Sequence, residues 1–489
     1  MRTARKTDAF MDDKQRIMDI VDDKQGEFIE ASDRIWDTPE TRFAVKRSVE
    51  PYYEVLEKEG FSISKGVAGM EYAFIATYGS CKPVIGITAE YDALGNLSQE
   101  AGNSERKPLV PGGAGQGCGH NVLGTTALGA AVALKTLMEE KQLTGTLRLY
   151  GCPAEESGYG KAFMARDGVF DDLDAAFTCH PMDTTAVVGS ASLAVMQANF
   201  EFTGVAAHAA AAPEMGRDAL DAAELMNVGV QFLREHIIDQ ARIHYAFLDA
   251  GGESANVVHP SSKIYYFVRA PRLDQVKEIY DRVVNIAKGA ALMTDTTLHI
   301  DFDSACANYI PNHPLSEAMD ANLDLIGPLQ LTPQELAFEK DIQEHSAQPG
   351  LIDKLTARTK EAFPGKTPEE ISEIANSGIA LPKFPLVFTD NPKGQGSTDV
   401  GDVSWCTPTT YVAVGFEPQG MSPHSWQWVA NGKSSVAHKG LVLGAKTIAL
   451  TAYDALTNPD LIKAAREAFE QDLDGATYTS VIPPEVVPH

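Results

Sequence analysis

The sequence predicts an α/β protein in which helices cover both faces of a mixed sheet and a second, ferredoxin-like module is inserted. Up to about residue 190, apolar runs of strand length alternate with loops and helical stretches, which is typical of a sheet covered by helices. From Ser192 to about Ala307 the order becomes β-α-β-β-α-β, that of a ferredoxin-like α+β module. At 489 residues the chain is long enough for two domains. We therefore predict a main domain of residues 1–190 and 308–489, and an inserted domain of residues 191–307.

The first part of the main domain is predicted from its apolar spacing. Apolar residues at helical intervals predict helices over residues 12–36 and 41–58. Short apolar runs predict the strands, at 72–78, 83–89, 146–150 and 175–178, and a run of small residues predicts a helix from about 121 to 140.

The inserted module and the second part of the main domain follow from the same patterns. Strands are predicted at 193–204, 244–248, 263–269 and 297–302, with helices at 217–235 and 273–292. A helix at 314–328, a strand at 409–414 and a last helix at 434–456 complete the chain. Residues 331–380 are polar and interrupted by three prolines, so we predict a helical surface insertion there.

Composition and charge exclude several classes of partner. With 41 basic and 67 acidic residues the formal charge is −26, which disfavours nucleic acid and anionic membrane surfaces. The most apolar run, residues 122–138, is too short for a membrane span and contains Lys135. The N-terminus has no apolar segment of signal-peptide type, and six scattered cysteines do not resemble a disulfide framework. These features predict a cytoplasmic protein with reduced thiols and no membrane partner.

Three clusters of chemically active residues lie between residues 115 and 181. They are Gly117-Cys118-Gly119-His120-Asn121, Cys152-Pro153-Ala154-Glu155-Glu156 and Thr178-Cys179-His180-Pro181. Each lies at a predicted strand end or helix start, where ligands collect in open α/β sheets. A thiol, two imidazoles and two carboxylates so placed indicate a metal site. The helix that follows Cys118 is expected to lower its thiol pKa and so favour the thiolate that binds metals.

The two adjacent glutamates can take different tasks. On an extended segment Glu155 and Glu156 would point to opposite sides, so that one binds a metal while the other accepts a proton from water. Together, five residues supply enough ligands for two divalent ions if one ligand bridges the ions: Cys118, His120, Glu156, His180 and His424.

Alternative interpretations remain open for each residue taken alone. Cys118 and His120 could be a buried thiol beside a capping histidine, the glutamates a solvated turn, and His180 or His424 a structural histidine. A competing enzyme mechanism makes Cys118 a nucleophile activated by histidine, but leaves both glutamates unexplained. The sequence contains no P-loop, no Gly-x-Ser-x-Gly elbow and no Gly-x-Gly-x-x-Gly after a strand, so nucleotide binding has little support.

Taken together, the motifs resemble the M20 family of metallopeptidases. The resemblance lies in Gly-Cys-Gly-His-Asn, Pro-Ala-Glu-Glu, Cys-His-Pro, the segment around His208 and the late Pro-His-Ser. It is closest to the amidohydrolase branch, subfamily D, and residues 150–153 and 168–172 are most similar to its p-aminobenzoyl-glutamate group. It covers most of the chain, least clearly residues 331–380.

This resemblance implies a zinc-peptidase-like catalytic domain, formed by residues 1–190 and 308–489, and a lid and dimerisation domain of residues 191–307. It implies that Glu155 is the general base. It also implies that Asp92 contacts the metal ligands without binding a metal itself. It also implies that His208 reaches across a dimer to stabilise an oxyanion, and that Asn256 and Arg269 hold substrate. The implied metal ligands are Cys118 as the bridge, with His120, Glu156, His180 and His424.

The resemblance further implies two divalent ions, zinc or manganese, with cobalt or nickel as alternatives. The expected reaction is hydrolysis of the amide bond of a small N-acyl amino acid or dipeptide-like substrate with a free carboxylate, p-aminobenzoyl-glutamate being the leading example. The expected assembly is a homodimer, or a heterodimer with a related subunit. The alternative function is a non-catalytic or regulatory subunit of a heteromeric amidohydrolase, which the complete ligand set argues against. Gln116 stands where many relatives have histidine. Whether a contact beside the ligands, or the pKa of a group there, differs from that in those relatives is left open.

Overall fold

The computed structural model describes residues 2–346, 348–389 and 396–488, with residues 2–9 described by their backbone alone. In chain order the strands are β1 Ser62–Lys65, β2 Phe74–Ser80, β3 Val84–Ala89, β4 Gly145–Gly151, β5 Ala175–Met182, β6 Ala186–Val187, β7 Ala194–Thr203, β8 Ala207–His208, β9 Arg242–Asp249, β10 Val257–Val258, β11 Ser261–Ala270, β12 Thr297–Cys306 and β13 Thr409–Gly415.

The helices precede, separate and follow these strands. They are α1 Arg2–Asp37, α2 Lys46–Lys58, α3 His120–Lys141, α4 Gly160–Arg166, α5 Ala219–Leu233, α6 Leu273–Thr294, α7 His313–Ile326, α8 Pro333–Ser346, α9 Leu351–Ala362, α10 Pro368–Ala375, α11 Val400–Cys406, α12 Trp426–Asn431, α13 Ser435–Thr457 and α14 Pro459–Leu473.

The main sheet has the order β1-β2-β4-β3-β5-β13-β6. Strands β4, β3, β5 and β13 run parallel to one another, and β1, β2 and β6 pair antiparallel at the two edges. Successive residues of β4 belong to two hydrophobic cores, because strand side chains alternate between faces. Leu147 and Leu149 pack with α1, α3 and α13, whereas Tyr150 packs with α4. The predicted mixed α/β sheet with helices on both faces is confirmed.

The inserted module forms a separate four-stranded sheet in the order β12-β7-β11-β9, antiparallel throughout. Helices α5 and α6 connect its strands and cover one face, with Phe200 and Tyr266 packed edge to face at 5.6 Å in its core. The chain order β7-α5-β9-β11-α6-β12 confirms the predicted β-α-β-β-α-β pattern. Its role as a lid and dimerisation domain stays a prediction, as do the domain bounds.

The described part of residues 331–380 is helical, as predicted, and residue 347 lies outside the described residues. The prediction that this insertion is a surface feature is wrong in part. Ile342 of α8 and Leu355 of α9 are buried against Trp428 of α12, only four residues after His424. The insertion thus supports the segment that carries a predicted metal ligand.

Two further predictions need correction. The helix at 434–456 is not the last one, because Asn458 caps the N-terminus of another amphipathic helix, α14. The segment after β4 is a turn and not extended, since Ala154 has a φ of 63°. Strand β1 and the short helix α4 were not predicted, because neither has a long apolar repeat.

Helix α3 is long and apolar enough, by length and composition, to cross a membrane. It nevertheless lies inside the protein, with 94% of its most apolar 18-residue stretch buried.

All six cysteines are free, and Cys152 and Cys179 are buried small residues, as expected.

The C-terminal segment after α14 is attached to the rest of the protein through the buried carboxylate of Asp402. This carboxylate accepts hydrogen bonds from the Tyr478 hydroxyl at 2.7 Å and from the Ala307 N–H at 3.0 Å. Burial raises the pKa of Asp402 to about 7, although both hydrogen bonds act to lower it. Because the folded-state pKa is above the ordinary value, the carboxyl group contributes less to stability as the pH rises from about 4 through 7.

We therefore expect Tyr478→Phe to lower the free energy of unfolding, and to do so more at pH 8 than at pH 5.5. Loss of the hydroxyl leaves an ionised buried carboxylate short of a donor at pH 8, at a cost of about 1–3 kcal/mol. Urea unfolding at the two pH values measures the difference. Tyr309→Phe is the control, because the Tyr309 hydroxyl donates to the uncharged Thr409 carbonyl. Equal losses for Tyr478→Phe at both pH values would contradict the prediction.

Candidate metal centre

The predicted site residues meet at the carboxyl ends of the parallel strands. Asp92 follows β3, Glu155 and Glu156 follow β4, and His180 lies in the last part of β5. Because these strands run parallel, their ends meet at one edge of the sheet. His424 reaches the same edge from the loop after β13, where its backbone N–H donates to the Gly117 carbonyl at 3.0 Å.

The loop that carries Cys118 turns sharply into helix α3. Gly119 is the residue before the helix and has a φ of 71°, in the left-handed region that favours glycine. A Cβ atom there would lie 2.9 Å from Cγ of Pro181. Glycine therefore lets the loop pack against the end of β5, which brings Cys118 and His180 together.

The ring of His120 is oriented by Asp92. Nδ1 of His120 lies 3.1 Å from the Asp92 carbonyl oxygen and 3.2 Å from its Oδ1, so this nitrogen carries the proton and donates it. When the ring is neutral, its Nε2 has a free lone pair, and this is the form that binds a metal. His120 and Asp92 are both buried.

His180 has the same tautomer for the same reason. Its Nδ1 lies 2.7 Å from the carbonyl oxygen of Pro181, which can only accept a hydrogen bond. Its Nε2 lies 3.5 Å from Sγ of Cys118. Two imidazole nitrogens and one thiol sulfur therefore lie close to one another.

Both glutamates are held by the carboxylate of Asp92, which accepts the backbone N–H of Glu155 at 3.2 Å and that of Glu156 at 3.1 Å. Because the segment is a turn, the predicted alternation of the two side chains does not apply. Their carboxylate oxygens lie 3.9 Å and 3.8 Å from Nε2 of His120. Asp92 thus fixes His120 and both glutamates at once.

The electrostatics distinguish the two glutamates. Burial acts to raise the pKa of Glu156, but the hydrogen bond with His424, 3.2 Å long, and the charge of His120 outweigh it and lower the pKa to about 2. Burial and the neighbouring carboxylates of Glu90 and Glu156 raise the pKa of Glu155 well above its usual range.

The expected lowering of the Cys118 pKa is not found in the protein without metal. Burial and the charge of Glu156 instead raise the pKa of this thiol well above its usual range. The helix start lies close by, but desolvation of a fully buried thiolate is the larger effect.

The donor atoms fit two divalent ions. Three buried atoms at this edge of the sheet have no hydrogen-bond partner among the described residues: Nε2 of His120, Oε1 of Glu156 and Oε2 of Glu90. Ligand atoms of Cys118, His120 and His180 lie within 4.8 Å of one another, and so do those of Cys118, Glu156 and His424. Thiolate, imidazole and carboxylate suit divalent transition metals. Cys118 belongs to both groups and is therefore placed to bridge.

Sequence reasoning missed a buried charge network behind these ligands. The ammonium group of Lys161, on α4, contacts Glu90 at 2.7 Å and Asp399 at 2.5 Å, and all three residues are fully buried. Glu90, Lys161 and Asp399 belong to no local sequence pattern. A charged residue in the otherwise apolar first turn of α4 was the single available signal.

The predicted lid residues are not part of the cluster of possible ligands. His208 and Asn256 are exposed on facing segments of the inserted module, where the Ala209 N–H donates to the Asn256 carbonyl at 3.0 Å. Arg269 lies on β11. Burial raises the pKa of the Tyr159 hydroxyl, the charge of Arg269 acts to lower that pKa and the charge of Glu155 acts to raise it, so both side chains lie near Tyr159. Nε of Arg269 is buried without a hydrogen-bond partner among the described residues.

The side chain of Gln116, the position at which the resemblance implies a histidine in many relatives, hydrogen-bonds to the start of helix α3. Its Oε1 accepts the Asn121 N–H at 3.3 Å, in the first turn of α3, and so satisfies one free helix donor. Its Nε2 is buried without a partner among the described residues.

Comparisons with known proteins show which family the chain is similar to. The family model described as peptidase family M20/M25/M40 matches residues 86–487. The B subunit of p-aminobenzoyl-glutamate hydrolase from Escherichia coli K12 is 43% identical over 98% of this chain and 97% of that protein. The A subunit of the same hydrolase, from the same organism, is 31% identical over 49% of this chain and 58% of its own length. A dinuclear metal-binding M20 peptidase from Bacillus subtilis superposes with a TM-score of 0.53 at 16% identity, over 89% of this chain and 98% of that chain.

Proposed function

The chain belongs to peptidase family M20/M25/M40 and is a hydrolase of amide bonds, and from that premise we propose that it cleaves small N-acyl amino acids with a free carboxylate. An aryl amide of glutamate, such as p-aminobenzoyl-glutamate, is the leading substrate. The observation that carries the proposal is the convergence of unpartnered buried donor atoms of His120 and Glu156 around Cys118. The similarity to one chain of a p-aminobenzoyl-glutamate hydrolase over almost the whole length supports the choice of substrate.

Two divalent ions, zinc or manganese with cobalt or nickel as alternatives, fit the two groups of donors. One ion would be held by Cys118, His120 and His180, and the other by Cys118, Glu156 and His424. When bound, such a pair activates water as a nucleophile and stabilises negative charge on the substrate carbonyl oxygen.

Glu155 is the general base of the proposed reaction. Its backbone is held by Asp92, and its carboxylate lies 3.9 Å from Nε2 of His120, with the residue only 7% exposed. From this position it accepts a proton from the attacking water and returns it to the leaving amine nitrogen. Removing the proton makes the water a nucleophile. Returning the proton to the nitrogen lets the amine leave as a neutral molecule instead of an amide anion.

The inserted module supplies the remaining groups. The guanidinium of Arg269, with its unpartnered buried Nε, is suited to grip the substrate carboxylate, and Asn256 assists it. Nδ1 of His208 accepts the N–H groups of Ala210 and Ala211 at 3.1 Å each, so Nε2 carries the proton. That N–H can donate to the oxyanion in the active site of a neighbouring protomer.

The proposed assembly is a cytoplasmic dimer of two copies of this chain, and the alternative is a heterodimer with a related subunit. The exposed position of His208 is compatible with a role in a second chain. The existence of two distinct chain types, A and B, in p-aminobenzoyl-glutamate hydrolase motivates the alternative. A purely regulatory role would leave the buried donor atoms without a purpose.

Metal analysis of the chain purified alone, paired with a hydrolysis screen over N-acyl amino acids, tests the proposal. We expect about two divalent ions per chain and cleavage of p-aminobenzoyl-glutamate that a chelator abolishes. Metal without turnover would indicate that a partner chain is missing and would contradict an active chain on its own. A chain that takes up neither zinc nor manganese would contradict the two-metal mechanism, and Cys118 would then be tested as a nucleophile.

A further inference from the structure

Glu90, at the end of β3, is a buried carboxylate that the proposed reaction does not use. The residue is 1% exposed. Its Oε1 accepts a hydrogen bond from Nζ of Lys161 at 2.7 Å. Its Oε2 is buried without a hydrogen-bond partner among the described residues and lies 3.3 Å from Nε2 of His120. The carboxylate thus presents one unpartnered oxygen directly to a proposed metal ligand.

The two facing atoms can share one cation. His120 donates its Nδ1 proton to Asp92, so a ring that binds a metal does so through Nε2, the nitrogen that faces Glu90. A cation between this nitrogen and Oε2 of Glu90 would satisfy both buried atoms at once. In a tetrahedral site with bonds of about 2.1 Å, neighbouring ligand atoms are about 3.4 Å apart. The observed 3.3 Å agrees with two ligands of one ion.

The same ion is within reach of the ligands already proposed. Donor atoms of Glu90, His120 and Glu155 lie within 4.8 Å of one another, and so do those of Cys118, His120 and His180. Both groups use His120, whose Nε2 can bind only one ion. An ion on that nitrogen therefore has Glu90 beside it as well as Cys118 and His180.

Lys161 and Asp399 hold Glu90 in this orientation. The Lys161 ammonium lies between the two carboxylates, and its backbone N–H donates to Oδ2 of Asp399 at 2.8 Å. Lys161 contacts only Oε1 of Glu90 and so fixes the orientation of the carboxylate. The other oxygen is left free and points at His120. Ligands that are fixed by a second layer of hydrogen bonds bind metals more tightly.

We propose that Glu90 is a further ligand of the ion bound by Cys118, His120 and His180, and that the buried Lys161–Asp399 pair orients it. The proposal rests on the proposed two-metal function and adds a residue to it. It gives that ion four protein ligands from three separate segments of the chain.

Cobalt binding by the full-length chain tests the proposal without relying on turnover. Glu90→Gln keeps the side-chain shape and an amide oxygen for Lys161 but removes the anionic oxygen. We expect its affinity for one of the two cobalt ions to fall by more than about 10–100-fold, the range seen when only a group behind a ligand is lost. The cobalt d–d absorption should change, while the charge-transfer band from the Cys118 thiolate persists. Glu90→Asp keeps the charge but moves the carboxylate away from His120, so it should weaken binding of the same ion.

Glu339→Gln is the matched control. Glu339 on α8 is also fully buried with one unpartnered oxygen, but it is outside both donor groups. Its replacement should leave the cobalt spectrum and affinities at the values of the parent chain. Parental cobalt affinity and spectrum in both Glu90 variants would overturn the proposal and make Glu90 a hydrogen-bonding neighbour of His120. A parent chain that binds no cobalt would instead overturn the proposed two-metal function.

Discussion

Glu155→Gln is expected to lower kcat by about 10²–10⁴-fold, the usual contribution of a general base, while the chain keeps its full metal content. Glutamine has the size of glutamate and leaves the backbone N–H of residue 155 free to donate to Asp92. What it cannot do is accept a proton from water. We expect KM to change little, because the substrate carboxylate is held elsewhere. Steady-state kinetics with the best substrate of the screen, together with metal analysis of the same sample, measure both quantities.

The adjacent residue provides a control with the same chemical change. Glu156→Gln alters a proposed ligand that contacts His424 at 3.2 Å, so it should lower the metal content as well as the activity. The two variants differ by one position and have opposite expected metal contents. If Glu155→Gln kept near-full activity with its metal in place, Glu155 would not be the base. If it lost metal to the same extent as Glu156→Gln, Glu155 would be a ligand.

Lys161→Met is expected to lower the free energy of unfolding by about 3–5 kcal/mol, the cost of removing one partner of a buried ion pair. Lys161 is fully buried and contacts the carboxylates of Glu90 and Asp399. Methionine fills most of the same volume, so the loss comes from two carboxylates left buried without a cation. Urea unfolding of the metal-free protein measures the effect apart from any contribution of bound ions.

Two controls separate this charge effect from a general effect of losing lysine. Lys433→Met removes an ammonium group from a partly exposed pair with Asp37, which should cost at most about 1 kcal/mol. Adding Asp399→Asn to Lys161→Met removes one of the two uncompensated charges, so the double variant should regain part of the lost stability. A Lys161→Met protein as stable as the Lys433→Met protein would show that the buried network is not required for stability.

The positions that sequence reasoning identified have chemistry that is recognisable locally. Cys118 and His120 stand two residues apart before a helix, and Glu155 and Glu156 follow a strand, so the sequence alone places them near one sheet edge. The parallel order of β3, β4 and β5 then brings them together. Patterns of period two and period three to four also predicted most strands and helices, because burial of one face imposes those periods.

The errors arose where a distant contact overrides a local preference. The Cys118 thiol was expected to ionise easily because a helix begins beside it, but complete burial has the opposite effect on its pKa. The glutamate segment was expected to be extended, but Asp92 binds two successive N–H groups and holds it as a turn. Residues 331–380 look like surface in sequence, yet α8 and α9 pack against Trp428.

By itself the sequence determined the α/β architecture, the ferredoxin-like insertion and the identity of the groups able to bind metal. These depend on residue type and on short spacings, which are present in the linear chain. Only the tertiary structure decided which atoms face each other, such as Oε2 of Glu90 and Nε2 of His120, and which tautomers the histidines adopt. It also decided the network of Glu90, Lys161 and Asp399, whose members are separated by as many as 309 residues along the chain. Charges so far apart in sequence stabilise one another only when folding buries them next to each other. No local sequence pattern predicts which distant residues will meet in this way.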